Sequence, residues 1–572
     1  MTALRTVRCL ADAKSAKTVE QAHQERMKMA VDRAQIDADR AVLRKRWIDE
    51  GFFTGETLSQ AIDAAVVRKP DTRHHFYSEH GYQTATIAEI NAQAWKLARA
   101  LARAGIRKGD VIAVQMPMVP EVVPVQLAIA HLGAVALPIV HTYGPADLTT
   151  ILTAGRVRML IIPDAWRGID FADRLAAATL PRSLDTVLVI GNGGTFTPRT
   201  LRYGDLLASG DDCEDDGLIL AGDPQDDSLI LFSSGTTGAP KGIRHSNESI
   251  LAEYTVPFLA NDGPYFTMMP PGHIAALVVI FHSILKGVEM VTADRWDAAL
   301  AAEVCERHRV TQTGGVPLML IGLLEAAKQD GRDLSSIVSY RMSGTAVTPH
   351  HIRMASDAGF LAGRFYGLSE HPTVSVVNDD GSFAQRSTTD GVPSEGTEIR
   401  IVDDNGNDVP IGTDGEIATR GPELFIGYTD PSLELTSFLP GGWFLTGDIG
   451  HLDEDGAITI TDRKKDIIIR GGENISPKEI EDLLLDHSAI REVAVVAYPD
   501  ERLGERACAV IVLEAGQTLT LAEVIAHLSA KDTAKLKWPE RLECVEAMPL
   551  TANGKVRKDV LRARLRAETA PA

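Results

Sequence analysis

The chain has 572 residues and a mass of 61.7 kDa, a length that predicts several domains or subdomains and excludes a small binding module. With 44% hydrophobic and 24% charged residues, its composition is that of a soluble globular protein. The net charge of −20 opposes sequence-independent attraction to phosphate backbones and anionic lipid, so nucleic acid is not an expected partner.

The cysteines and the apolar segments predict a compartment. Five cysteines are scattered along the chain without a CxxC pair, which argues against a disulfide framework or a zinc site and favours a reducing, cytoplasmic location. The most apolar stretch, Val122 to Val140, contains Pro124 and Gln126, so we predict a buried helix followed by a strand and no membrane span. The N-terminus lacks the apolar segment of a secretory signal.

The predicted organisation starts with a compositionally distinct segment. Residues 1–46 hold 11 Lys and Arg and 6 Asp and Glu, which predicts a basic helical extension that serves as a packing or oligomerisation arm. Residues 47–464 are predicted to form one large domain and residues 465–572 a smaller one.

Within the large domain, strand-like runs alternate with amphipathic stretches such as Ala88 to Ala104 from Gly51 to about Val291, which predicts parallel α/β layers. The runs are Val111 to Val114, Met159 to Ile162, Thr186 to Ile190 and Leu229 to Phe232. After Gly391, short alternating strands separated by Asp- and Gly-rich turns predict a small antiparallel or barrel-like unit.

The smaller domain has its own secondary-structure signals. Ser476-Pro477-Lys478-Glu479 is a capping box with Pro at the first helical position, and it predicts a helix there. Two strands, Val493 to Ala497 and Ala507 to Val512, and a helix from Leu521 to Ala530 are predicted to follow. Together these elements indicate a compact α+β domain of roughly 100 residues.

The most informative segment is the run from Ser233 to Gly242, which directly follows an apolar strand. It reads Ser233-Ser234-Gly235-Thr236-Thr237-Gly238-Ala239-Pro240-Lys241-Gly242. Backbone N–H groups, hydroxyls and one lysine are suited to a polyphosphate, so a nucleoside triphosphate is the expected ligand. Lys241 stands between Pro240 and Gly242 rather than before Ser or Thr, which excludes a Walker A motif.

This loop resembles the phosphate loop of the AMP-forming adenylating superfamily, which comprises acyl-CoA synthetases, adenylation domains of peptide synthetases and luciferases. Six further stretches of the chain resemble family motifs in the family's order. They are Ser343-Gly344-Thr345-Ala346, Tyr366-Gly367-Leu368-Ser369-Glu370, Thr446-Gly447-Asp448, Asp462-Arg463-Lys464-Lys465-Asp466, Gly471-Gly472-Glu473-Asn474-Ile475-Ser476-Pro477 and Thr551-Ala552-Asn553-Gly554-Lys555. The resemblance covers residues 50–565 and is unlike chance similarity.

The resemblance implies a fold and a reaction. The expected fold is α/β plus α+β: a large N-terminal domain of two α/β layered subdomains and a small β-barrel-like subdomain, with a small mobile C-terminal domain. The implied reaction joins a carboxylate to the α-phosphate of ATP, which gives acyl-AMP and pyrophosphate, and a thiol then displaces AMP. Both steps concentrate negative charge, so cationic side chains and Mg²⁺ are the useful groups.

The resemblance also assigns roles to residues. Glu370 would hold Mg²⁺, Ser369 would hydrogen-bond the α-phosphate, and Lys555 would stabilise charge in the adenylation step. Lys241 would be the cation of the phosphate loop. Tyr366 would stack on adenine, while an ordinary core aromatic is the alternative. Asp448 would bind the ribose with Arg463, and Lys465 would be the hinge. Gly344, Thr345, Ala346 and Gly367 would line the nucleotide pocket. Gly367 would also border the acyl pocket or its gate, and Gly471 and Gly472 would flank the CoA tunnel.

The acid and its acceptor are less closely specified. His273 resembles the ring that lines the acyl pocket or gates the thiol tunnel, with a buried structural histidine as the alternative. No acidic residue lies between Tyr265 and Lys286, which argues against an amino acid substrate. Aliphatic stretches and His371-Pro372, which resembles the cyclohexanecarboxylate-CoA ligase branch, point to a medium-chain or alicyclic acid. CoA is the expected acceptor; a carrier-protein loader, a silent nucleotide-binding scaffold and a homodimer remain open.

Overall fold

The protein is described here by a computed structural model. It describes residues 31–193, 196, 199–209, 219, 222–232, 241–256, 263–344, 347–470, 473–500, 502–531, 533–551 and 555–569. The α-helices are α1 Arg33–Asp49, α2 Leu58–Arg68, α3 Ile87–Arg103, α4 Val122–Leu132, α5 Pro145–Ala154, α6 Phe171–Ala176, α7 Tyr203–Ser209, α8 Asn247–Thr255, α9 Ile274–Lys286, α10 Ala298–Arg307, α11 Pro317–Asp330, α12 Pro349–Asp357, α13 Phe383–Thr388, α14 Pro477–Leu485, α15 Leu521–Ala530 and α16 Lys558–Thr569. Short 3-10 turns occupy Pro431–Thr436 and Lys535–Lys537.

The strands range from two residues to the eleven of Ile490–Asp500. They are β1 Arg73–Ser78, β2 Gly81–Thr86, β3 Val111–Val114, β4 Val135–Pro138, β5 Met159–Pro163, β6 Ala165–Trp166, β7 Ile169–Asp170, β8 Thr186–Ile190, β9 Arg199–Arg202, β10 Asp227–Phe232, β11 Gly242–Ser246, β12 Tyr265–Thr267, β13 Met290–Ala293, β14 Gln312–Gly315, β15 Ser339–Met342, β16 Leu361–Arg364, β17 Ser375–Val376, β18 Val392–Pro393, β19 Glu398–Val402, β20 Gly415–Arg420, β21 Gly427–Tyr428, β22 Phe438–Leu439, β23 Trp443–Leu452, β24 Ile458–Arg463, β25 Ile468–Arg470, β26 Glu473–Ile475, β27 Ile490–Asp500, β28 Gly504–Leu513 and β29 Arg541–Cys544.

Two large sheets form the N-terminal part. One has the order β21-β11-β10-β4-β3-β5-β8-β9 and is parallel from β10 to β9. The other has the order β16-β15-β14-β12-β13-β1-β2, and only its β1–β2 pair is antiparallel. The apolar runs that predicted strands are therefore confirmed as parallel, doubly covered strands.

The largest apolar core lies between the two large sheets and contains residues of both. It contains buried residues of α2, α3, α4, α8 and α9 together with residues of the neighbouring strands. The stretch Val122 to Val140 contributes α4 and then β4, as predicted, because Pro124 lies in the first turn, where a missing N–H costs nothing. Among the described residues, the structure has no helix both long and apolar enough to cross a membrane.

The segment after Gly391 forms an antiparallel sheet with the order β19-β20-β23-β22, and β24 pairs with β23. The antiparallel form of the prediction is confirmed. The C-terminal part is the predicted α+β unit, in which α14 and α15 pack against a sheet of β25 to β29. Ser476 caps α14 by accepting from the Glu479 N–H at 3.1 Å.

Helix α1 lies on the large N-terminal part rather than apart from it. Leu43 and Trp47 are buried with Phe53 and Ala252. The boundary between residues 46 and 47 that the charge pattern suggested falls inside this helix, which continues to Asp49 and buries Trp47. The division into domains at residues 46 and 464 otherwise stays a prediction.

Candidate adenylation site

The Ser369-Glu370 pair lies at the tip of a tight turn. Leu368 and His371 exchange backbone hydrogen bonds of 3.0 and 3.1 Å on either side of it. A Cβ atom on Gly367 would lie 1.8 Å from the Pro372 carbonyl oxygen, so only glycine fits there. The turn therefore fixes where the Glu370 carboxylate points.

Neighbouring elements hold this turn from behind. His245 on β11 donates from Nε2 to the Ser369 carbonyl at 2.9 Å, and the Phe425 N–H donates to the Glu370 carbonyl at 2.8 Å. His371 is buried and contacts Thr419 Oγ1 through Nδ1 at 3.0 Å. Three separate strands or strand-flanking segments thus position the two site residues.

The Glu370 carboxylate has one hydroxyl donor and one nearby cation. Tyr428 on β21 donates from its hydroxyl to Glu370 Oε1 at 3.0 Å, and Lys241 Nζ lies 5.4 Å from the centre of the Tyr428 ring. Burial raises the pKa of Glu370, and the Tyr428 hydrogen bond and the Lys241 charge oppose that rise. The site therefore favours a cation beside this carboxylate.

Asp448 is the centre of a second group on the antiparallel sheet. Its Oδ2 accepts a 2.6 Å hydrogen bond from the Tyr366 hydroxyl, and its Oδ1 lies 3.1 Å from Arg463 Nε. Asp448 and Arg463 are direct cross-strand partners on β23 and β24, which explains their contact. Burial and Asp448 raise the pKa of Tyr366 well above its ordinary value, so its hydroxyl stays a donor.

Lys555 is exposed, and its backbone N–H donates to Thr551 Oγ1 at 3.1 Å. Partial removal from water lowers the pKa of Lys555 to about 8, as do the charges of Arg463 and Lys465, while Asp448 opposes the shift. The charges of Arg463, Lys465 and Asp448 thus act on Lys555, and its role in adenylation stays a prediction.

The predicted hinge has a defined partner. Arg562 on α16 donates to the Lys465 carbonyl at 3.1 Å and to Asp466 Oδ1 at 2.6 Å. Burial first, and then Arg463, lowers the pKa of Lys465. The hinge role of Lys465 stays a prediction, with α16 now identified as the element that holds it.

Some predicted site residues lie outside the described part of the chain. They are Ser233, Ser234, Gly235, Thr236, Thr237, Gly238, Thr345, Ala346, Gly471 and Gly472. The first six fall between β10 and β11, which pair antiparallel, so the ends of their loop are fixed. Gly344 has φ +89°, a conformation that favours glycine.

His273, the residue predicted to line the acyl pocket or to gate the thiol tunnel, is half-buried and directly precedes α9. The preceding Gly272 is there for packing reasons, since a Cβ on it would lie 2.3 Å from the Val140 nitrogen. Tyr366 is buried within an apolar cluster that includes Val374 and Ile417. Its stacking on adenine and the pocket role of His273 stay predictions.

Sequence reasoning missed Tyr428 and His245. Tyr428 is 58 residues from Glu370, and His245 is 124 residues from Ser369, so no local spacing connects them. The one available signal for Tyr428 was its position after Gly427 in a predicted β segment, which by itself indicates only packing.

Comparison with known proteins decides the family. The AMP-binding enzyme family matches residues 62–429, and the AMP-binding enzyme C-terminal domain matches residues 479–555. The chain is an AMP-forming acyl-CoA synthetase. The synthetase is 34% identical to the medium-chain fatty-acid–CoA ligase of Escherichia coli over 91% of this chain and 92% of that protein. It is 31% identical to a feruloyl-CoA synthase of Amycolatopsis over 88% and 99% of the two chains.

Solved structures share the fold. The amide bond synthetase McbA of Marinactinospora thermotolerans matches with a TM-score of 0.76 and 25% identity, over 89% of the synthetase and 100% of that chain. The o-succinylbenzoate CoA synthetase MenE of Bacillus subtilis, in complex with its acyl-adenylate, has a TM-score of 0.74 and 24% identity over 88% and 97%. The predicted fold class and the predicted ligase activity are thus confirmed: the synthetase uses ATP to activate a carboxylic acid and forms acyl-CoA.

Proposed function

We propose that this synthetase activates a medium-chain or alicyclic carboxylic acid and transfers it to CoA. The observation that supports acid activation most is the Asp448 group, in which the Tyr366 hydroxyl donates to Asp448 Oδ2 at 2.6 Å and Arg463 Nε lies 3.1 Å from Asp448 Oδ1. The named activity of the Escherichia coli relative favours an apolar, medium-length acid.

The acid is expected to lie against α9. Residues 276–285 of this helix are buried, and no acidic side chain occurs between Tyr265 and Lys286 to pair with an α-amino group. An apolar acyl body suits such surroundings, whereas an amino acid would leave its ammonium group unpaired. His273, directly before α9, is the polar group at the near end of this surface.

In the adenylation step, Asp448 would accept hydrogen bonds from the ribose hydroxyls, and Ser369 would donate to the α-phosphate. Lys555 would donate to the carboxylate and the α-phosphate as negative charge builds there. Lys241 and the loop from Ser233 to Gly238 would bind the remaining phosphates. Tyr366 and Arg463 keep the Asp448 carboxylate in place.

Mg²⁺ fits the chemistry of the site. Glu370 offers a carboxylate oxygen, which is a ligand that Mg²⁺ prefers, and burial raises the pKa of this group by removing water from its charged form. We infer that Glu370 would hold the ion. When bound, Mg²⁺ supplies charge neutralisation at the phosphate oxygens. Tyr428 keeps the Glu370 side chain in position for that role.

The experiment is a substrate panel with the purified protein. Straight-chain, alicyclic, aromatic and steroid-side-chain acids are incubated with ATP and Mg²⁺, with and without CoA, and pyrophosphate, AMP and thioester are followed by mass spectrometry. We expect CoA-dependent thioester, with medium-chain and alicyclic acids ranked first. Preference for aromatic acids would overturn the substrate proposal, and acyl-AMP without thioester would indicate that the acceptor is a carrier protein.

The cysteine pattern favours the cytoplasm as the proposed location of the synthetase.

A further inference from the structure

A cluster of metal-ligating side chains lies on the seven-stranded sheet, outside the adenylation site. His75 is on β1, Glu289 directly precedes β13, and His308 directly follows α10. β1 and β13 pair in parallel with His75 opposite Val291, and Glu289 lies two residues before Val291. The side chains of His75 and Glu289 therefore meet on the sheet. One ligand atom from each of the three residues lies within 4.8 Å of the other two, and this is the only such group that the described residues contain.

The geometry resembles an unloaded tetrahedral site. His75 Nε2 lies 2.8 Å from Glu289 Oε1, and the His75 and His308 ring centres are 4.4 Å apart. Zinc binds nitrogen and carboxylate oxygen at about 2.0–2.2 Å, which separates two tetrahedral ligands by roughly 3.3–3.5 Å. The His75 Nε2–Glu289 Oε1 distance of 2.8 Å is shorter than this separation, so these two atoms would have to move apart by roughly 0.5–0.7 Å to hold an ion between them.

Two tyrosines fix the orientation of the rings. The Tyr82 hydroxyl lies 2.7 Å from His75 Nδ1, and the Tyr77 hydroxyl lies 2.8 Å from His308 Nε2. A ligating histidine commonly donates its second N–H to a neighbouring oxygen, which sets the tautomer and strengthens the ligand. When His75 binds through Nε2, its Nδ1–H is placed to donate to Tyr82.

The charged groups beside Tyr77 on α10 pair with each other. Arg307 is the cation beside Tyr77, with 3.3 Å between its Nη1 and the hydroxyl. Glu303 pairs with Arg307 at 2.5 Å, so the positive charge of Arg307 is balanced by Glu303.

We propose that His75, Glu289 and His308 form a binding site for a zinc-class divalent transition ion, with water as the fourth ligand. Two imidazoles and one carboxylate select such an ion over Mg²⁺ or Ca²⁺, which take mainly oxygen. Bound there, the ion would join β1 to the residue before β13 and to the residue after α10.

The test uses the full chain after chelator treatment, in buffer without ATP or Mg²⁺. We expect about one Zn²⁺ per chain by equilibrium dialysis, and visible d–d absorption of a tetrahedral centre when Co²⁺ is added. Glu289→Gln and His308→Gln should each weaken Zn²⁺ binding at least tenfold, about the smallest loss that outer-shell changes cause. The Glu289→Gln variant keeps the test valid if a histidine variant does not fold, because the Glu289 side chain is more than a third exposed.

His487→Gln is the matched control, because the His487 and His527 rings also lie 5.0 Å apart but belong to no three-ligand group among the described residues. It should leave Zn²⁺ affinity and the Co²⁺ spectrum unchanged. Zn²⁺ should raise the melting temperature of the parent chain but not of Glu289→Gln. Absence of stoichiometric binding, or binding that the Glu289 and His308 variants do not change, would overturn the proposal.

Discussion

At the scale of single residues, Lys555 is the side chain whose removal should separate the two half-reactions. Lys555→Ala deletes a cation that Asp448 and Arg463 influence at short range. Loss of one such interaction costs about 2.7–4 kcal/mol, or about 10²–10³ in rate. We expect that loss in pyrophosphate release, with thioester formation from supplied acyl-AMP nearly unchanged. Equal losses in both assays would remove the assigned role.

Tyr428 tests how the Glu370 carboxylate is positioned. Tyr428→Phe removes the hydroxyl that donates to Glu370 and keeps the ring that faces Lys241. A hydrogen bond to a charged group contributes about 1.5–3 kcal/mol. We therefore expect MgATP to bind roughly 10–100-fold more weakly, measured as a higher KM for MgATP and as a lower equilibrium affinity for the nucleotide.

Tyr203→Phe is the control for that variant, since it removes a buried hydroxyl that contacts Gln93 at 2.9 Å and touches no site residue. If both variants change MgATP binding alike, Tyr428 acts only through general stability.

Glu253 predicts a pH dependence of folding. Burial first, and then Glu423, raises the pKa of Glu253 to about 8, against about 4.3 in an unfolded chain. Between these values the folded protein keeps a proton that the unfolded chain has lost. Stability contributed by this group is therefore full below about pH 4.3 and is lost as pH rises, by about 1.4 kcal/mol per unit, until about pH 8.

Glu253→Gln should flatten that dependence, because the amide stays neutral at every pH. Urea unfolding at pH 5, 7 and 9 is the measurement, and the variant should gain on the parent chain as pH increases. The exposed Glu325→Gln is the control. Parallel pH profiles for all three proteins would show that Glu253 does not titrate in this range.

At the scale of elements, α1 is attached through buried charge. Arg33 and Arg40 both reach Glu434 Oε2, at 3.0 and 2.8 Å, and the Glu434 side chain is only 1% exposed. Arg44 pairs with the equally buried Glu248 at 2.6 Å. Unpaired buried carboxylates are costly, so these contacts hold the helix firmly to the N-terminal domain.

Arg40→Gln leaves Arg33 as the one arginine of α1 that pairs with Glu434. We therefore expect the free energy of unfolding to fall by about 1.5–3 kcal/mol, the range for a hydrogen bond to a charged partner. Thermal or urea unfolding measures the change. Lys45→Gln on the same helix is the control, since the Lys45–Asp49 pair is exposed on both sides and contributes little. A similar loss in both variants would mean that helix propensity, not the buried pair, is responsible.

The elements also show what the sequence could predict. Apolar runs gave the strands β3, β5, β8 and β10 within a residue or two, because a strand buried on both faces must be continuously apolar. The capping signal placed α14 correctly. The attachment of α1 was not predictable from charge, since composition does not reveal that the carboxylates paired with its arginines, Glu434 and Glu248, are buried.

At the scale of the whole molecule, the order of the motifs predicted the family, the fold and the reaction. It did not predict the links between motifs. The contacts from Tyr428 to Glu370 and from Tyr366 to Asp448 span 58 and 82 residues and depend on how the sheets pack. They became visible only in three dimensions, where the antiparallel sheet lies beside the parallel one.

The attachment of α1 has a consequence for engineering. Glu434 Oε1 also accepts from the Tyr428 N–H at 3.2 Å, so the arginines of α1 stabilise the residue next to the Glu370 carboxylate. A chimera cut where the AMP-binding enzyme family begins to match, at residue 62, would transplant Glu434 without its counter-charges. Exchanges of substrate specificity between relatives should therefore carry residues 31–61 along with the domain they cover.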